Sequence, residues 1–141
     1  ANRARAIWGI VTRERGLREG RGEHVVFAET RRGMIGHGQV LTAGNKTPEG
    51  ARLVARRLMV KAAARLRREG FLARSLHVGL RLEDGRHPAQ EGQIRATQDT
   101  FFLLETLDRY WAMLPRGRIR AVNVVLGGLL TQGQELSLIH I

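Results

Sequence analysis

The chain has no cysteine, which excludes disulfides and thiolate metal centres and fits a reducing cytoplasm. Aspartate is almost as scarce. Asp84, Asp99 and Asp108 are the only three, and they fall at a turn, a helix-cap region and a helix face, so no paired-carboxylate site for two-metal chemistry can be built from them. No apolar run reaches membrane-spanning length. The longest, "VVLGGLL" at 124–130, suits a buried strand. The charged N-terminus lacks the apolar core of a signal peptide, and a chain that starts at Ala1 is expected to be a fragment. His24, His37, His77, His87 and His140 show no ligand spacing with one another or with a carboxylate, so no metal site is expected. "GNKT" at 44–47 lacks the contiguous Gly-Lys-Thr of a phosphate-binding loop. No nucleophile has a base beside it.

Positive charge is what the chain has in excess. The formal net charge is +11, a field that favours polyanions, nucleic acid before anionic membrane. The basic residues are 22 arginines and two lysines in a chain also rich in alanine and glycine. A GC-rich genome would produce the same bias without a polyanion partner.

Three parts are expected. Residues 1–30 carry the apolar patch "AIWGIV", the basic "RERGLREGRG" and then "HVVFAE", too little to bury alone, so they read as the end of another unit plus a linker. Residues 31–131 carry the regular periodicity, and 132–141 form a tail. Within the middle part, "MIGHGQVL" is a first strand. Thr47, Pro48 and Glu49 start a helix whose apolar stripe runs through Ala51, Val54, Ala55, Leu58, Ala62 and Leu66 to a stop at Gly70. "RSLHVGLRLEDG" alternates as a second strand, a loop runs through Pro88 to Glu91, and "GQIRAT" is a short third strand. Thr97 or Asp99 caps a second helix with a stripe of Thr100, Leu103, Leu104, Leu107, Trp111 and Leu114, and "RIRAVNVVLGGL" is the last strand. The order is βαββαβ. Its simplest fold is an α+β domain, a four-stranded sheet with both helices on one face and the other face open.

That open face is expected to carry His77, Gly79 and Arg81, then Asn123, Val125 and Gly127, with Arg95 from the third strand. Small and basic residues suit a phosphate backbone lying flat on the sheet. None of the aromatic residues falls in the four strands, which excludes the base-stacking platform of single-strand binders. The first helix is strongly basic, with Arg52, Arg56, Arg57, Lys61, Arg65, Arg67 and Arg68. A solvated outer face is the leading reading, beside further DNA contacts or membrane and partner binding. The stretch "RRGMIGHGQVL" at 31–41 sets two glycines about His37 inside a strand. Either a ligand backbone approaches closely there or the strand carries an edge bulge.

The succession "RRGMIGHGQVL", "TPEGARLVARRLMVKAAARLRREGF", "RSLHVGLRL", "TQDTFFLLETLDRYWAMLP" and "RAVNVVLGGL" resembles the C-terminal little-finger domain of Y-family translesion DNA polymerases, in particular the bacterial DinB/UmuC-like branch. The resemblance implies a βαββαβ domain that lays its sheet into the major groove of a primer-template duplex and grips the backbone. By position, Ile35, Gly36 and His37 match the family's opening strand, Arg31 and Arg32 its basic lead-in, and Met34 stands where serine is common. The DNA contacts so implied, taken with the open face, are Arg31, Arg32, Gly36, His37, Gly38, His77, Arg81, Arg95 and Asn123. The segment around Trp8 would end the thumb domain.

Palm and fingers are absent from this sequence, so it should be non-catalytic and need no cofactor itself, while the parent would transfer nucleotides using two Mg2+ ions. The alternative is a catalytically inactive homologue that scaffolds a mutagenesis complex. A cytoplasmic monomer without membrane contact is expected. In the tail "TQGQELSLIHI", Gln134, Leu136 and Leu138 resemble a sliding-clamp peptide; "LSLIHI" is also what a sequencing-adapter transposon end encodes, which would make the chain non-native from about residue 136.

Overall fold

The computed structural model describes the backbone of residues 26–31 and the whole of residues 33–133. The strands are β1 (Val26–Arg31), β2 (Met34–Val40), β3 (Phe71–Leu82), β4 (Ala89–Thr97), β5 (Ile119–Gly127) and the short β6 (Leu130–Thr131), with helices α1 (Pro48–Glu69) and α2 (Thr100–Ala112). A 3-10 turn at Ala43–Asn45 precedes α1.

Local chemistry fixes both helix starts. Thr47 Oγ1 accepts from the Gly50 amide at 3.1 Å, Pro48 fills the first turn, where its missing N–H costs nothing, and Glu49 complements the positive end of the dipole. Asp99 accepts from the Phe101 amide at 2.9 Å and is the cap of α2, while Thr97 accepts in turn from the Asp99 amide. Gly70 ends α1 in the left-handed region at φ 74°, its N–H returning to the Arg67 and Leu66 carbonyls.

All strand pairs are antiparallel, in the order β1-β2-β5-β3-β4, with β6 pairing Leu130 and Thr131 to Leu72 and Phe71. The α+β class and the βαββαβ order are as the sequence implies, carried by β2, α1, β3, β4, α2 and β5. Three differences concern the strands. Val26–Arg31 adds a further strand beside β2, extending the sheet into residues read as linker. β3 starts at Phe71, and β4 starts at Ala89 inside what the sequence suggests is a loop, because Gly79 and Val78 pair there with Ala89 and Gln90.

Both helices lie on one side of the sheet. α1 packs on β5, β2 and β3, and α2 on α1, β3 and β4. Ala51, Ala55, Ala62 and Ala63 are fully buried with Leu58, Met59 and Leu66, so small side chains let α1 sit close to the sheet. Beneath it lie Ile35, Leu76, Val78, Leu80, Val122, Val124 and Leu126, and Leu103 and Leu107 of α2 complete the core. Arg52 and Arg56 of α1 clasp Asp108 of α2 at 3.0 and 2.6 Å.

Gly70→Ala forces a side chain into a left-handed backbone, so it should lower stability by about 1 kcal/mol. Urea denaturation with an unchanged m-value checks this.

Candidate nucleic-acid interface

Strand alternation decides which residues share the face away from the helices. Val122, Val124 and Leu126 enter the core, so Asn123, Val125 and Gly127 point the other way. Partners across an antiparallel ladder share a face, and the register extends this rule over four strands. One row is Met34, Gly127, Ser75 and Gln93; the next is Gly36, Val125, His77 and Glu91; the third is Gly38, Asn123, Gly79 and Ala89. Val40, Ala121 and Arg81 follow. β1 adds to these rows at the edge beyond β2, where Phe27 pairs with Gly38 and Glu29 with Gly36, so one aromatic position lies at the end of the third row. Among the described residues, no helix covers this face.

The polar groups of the face are concentrated at its middle. His77 is 4% exposed and its Nδ1 lies 3.0 Å from Glu91 Oε2, so the carboxylate orients the ring. Asn123 is fully buried, and neither Oδ1 nor Nδ2 has a hydrogen-bond partner, an arrangement that costs about 1–3 kcal/mol. A Cβ on Gly79 would collide with Asn123 Oδ1 and lie 3.0 Å from His77 Nε2. Gly79 is therefore glycine because two polar side chains occupy the space above it. Gly36 differs: a Cβ there would meet Val125 at 3.5 Å, ordinary contact. Internal packing does not require that glycine.

The sequence profile of the impB/mucB/samB family C-terminal domain matches residues 32–138, more than half of the chain. The chain belongs to this family. It is the little-finger domain of the Y-family polymerases. No curated protein matches the chain.

In this little-finger domain the structure brings together Gly36, Gly38, His77, Arg81 and Asn123 on one face, and separates two residues from them. His37 is the first correction. It pairs with Val124 on the helix side, because strand alternation turns a residue flanked by two face glycines to the opposite side. There it is 5% exposed with both ring nitrogens unpartnered, and burial, reinforced by the positive charges of Arg65, Lys61 and Arg68 on α1, lowers its pKa to about 4. Arg95 is the second. Between the Ser75–Gln93 and Ala73–Thr97 pairs β4 bulges, and the Arg95 guanidinium sits 4.7 Å over the Phe102 ring of α2. Arg31 pairs by its backbone with Met34. Its side chain, together with Arg32, Gln134, Leu136, Leu138 and the Trp8 segment, lies outside the described residues.

Glu91 is the face residue that sequence reasoning missed, because "HPAQE" reads as loop; the alternation of β3 past His77 was the available signal. The basic helix is largely occupied internally. Besides the Asp108 clasp, Arg57 donates to Gln39 Oε1, Arg65 to Glu69, and Arg67 to the Gln98 carbonyl and Thr100 Oγ1. Among the described residues no group of three His, Asp or Glu side chains could hold a metal ion. Nor is any described helix long and apolar enough to cross a membrane.

The His37 pKa is lower folded than unfolded, so the unfolded chain binds the proton first as pH falls. Stability should therefore be fully present above about pH 6.5 and decline toward pH 4, by about 3 kcal/mol in all. Relative to wild type, His37→Leu should flatten that part of a stability-versus-pH curve; parallel curves would contradict it. Gly36→Ala should leave stability within about 1 kcal/mol, whereas Gly79→Ala should lower it by about 2 kcal/mol or more. Thermal denaturation of the pair checks the contrast.

Proposed function

We propose that the sheet face turned away from α1 and α2 holds duplex DNA by its sugar–phosphate backbone, steadying primer-template while the parent polymerase copies past damaged bases. The observation that carries this reading is the floor of that face, where Gly36, Gly38, Gly79 and Gly127 recur on three neighbouring strands. A flat floor admits a bulky, regular ligand close to the backbone amides. Across β2, β5, β3 and β4 the rows of the face hold no aromatic residue on which unpaired bases could stack, which favours duplex over single strand. The net charge of +11 supplies the long-range attraction. Arg81, half-buried on the same face, supplies a fork for phosphate oxygens. Gly36, not needed as glycine by the chain's own packing, marks where the ligand comes closest.

Fluorescence anisotropy of the chain against primer-template duplex, single strand and duplex RNA across a salt series tests this. The duplex DNA should bind tightest, with log K falling against log salt by about 0.9 for each phosphate contact. Arg81→Glu should weaken every duplex sequence by the same factor, about tenfold, because phosphate contacts carry no base information. Unchanged affinity in that variant, or equal binding of all three nucleic acids, would move the interface elsewhere.

A further inference from the structure

We propose that Asn123 reads base edges, its side-chain amide pairing with adenine in the major groove so that the grip prefers A·T base pairs. The proposal rests on the duplex reading given above and adds to it a contact that is not to the backbone. Asn123 lies on β5, the middle strand of the five, and its neighbours across the ladder on either side are Gly38 and Gly79. Neither flanking residue carries a side chain, yet the amide is fully buried, so a base edge reaches it once the longer side chains around it move aside. The amide is held in place: it fills the space over Gly79, where His77 Nε2 also closes in, and Glu91 fixes the His77 ring. Such fixing lowers the ordering cost of a contact.

Both ends of the amide lack a partner, Nδ2 as donor and Oδ1 as acceptor, and that limits what can satisfy them. A phosphate group offers acceptors only. It would take Nδ2 and leave Oδ1 buried beside an anion. In the major groove guanine presents two acceptors, cytosine a donor and thymine an acceptor with a methyl group, whereas adenine sets the N6 donor beside the N7 acceptor. Adenine alone meets both atoms of Asn123. Val125, next along β5 on the same face and 6% exposed, is apolar and suits the thymine methyl of that pair. Arg81, two residues from Gly79 along β3 on the same face, is the long half-buried side chain nearby. Drawn toward a phosphate, it would open the way to the amide.

The test uses the full chain and three labelled duplexes of equal length: alternating A·T, alternating G·C, and alternating A·T with 7-deazaadenine, which lacks the N7 acceptor. Wild type should bind the first about tenfold tighter than the other two, and Asn123→Ala should bind all three alike. Asn123→Leu, apolar and of similar volume, should raise the melting temperature while losing the preference, since a purely structural asparagine would lower it when replaced. Equal wild-type affinity for the three duplexes overturns the proposal whether or not either variant folds, and leaves the backbone grip standing. A preference that survives in Asn123→Ala overturns it as well. Absence of any salt-dependent duplex binding by wild type instead removes the reading on which it rests, and the proposal with it.

Discussion

β5 is hydrogen-bonded along both edges, to β2 on one side and β3 on the other, and the two-residue period of its side chains divides the domain into its two halves. Val122, Val124 and Leu126 anchor the core under both helices. Asn123, Val125 and Gly127 define the floor of the other face. A one-residue slip in this register would exchange the two sets, exposing valines and driving an asparagine under α1. The fully buried aliphatic set opposes that slip, so the hydrophobic effect that stabilises the core also fixes the geometry of the interface.

Local signals in the sequence account for much of this. Thr47, Pro48 and Gly70 bound α1 because each does its capping through neighbours a few residues away. The alternation of β3 and β5 was equally plain, and so was the placement of His77, Arg81 and Asn123. What was not legible depends on pairing across the sheet. Strand β4 begins at Ala89 because β3 offers it a ladder there, a fact no local pattern around Pro88 contains. Arg95 leaves the face through a bulge whose cause is the pairing of Thr97 with Ala73. His37 is a different case: alternation alone places it opposite Gly36 and Gly38, and grouping the three as one motif obscured this.

Charge shows how composition and structure divide the explanation. The basic residues of α1 look like a polyanion-binding stripe in sequence, yet Arg52, Arg56, Arg57, Arg65 and Arg67 all donate within the protein. They join the helix layer to itself and to the sheet, at exposures where single pairs contribute modestly. The net positive field persists all the same, because pairing does not remove the excess of cations over anions. On the proposed reading, affinity for a polyanion would have two sources: a diffuse attraction from the whole domain, and a small number of groups at the face that fix orientation.

The junction between α1 and β3 consists of Gly70 alone, since the helix ends at Glu69 and the strand begins at Phe71. A joint of one residue leaves almost no slack. With its amide bonded back into the last helical turn and its successor already in the sheet, rotation of the helix must carry β3 with it. A load applied to the sheet is thereby transmitted to the helix layer as torque rather than absorbed by a loop, so that β3 and α1 should move as one body.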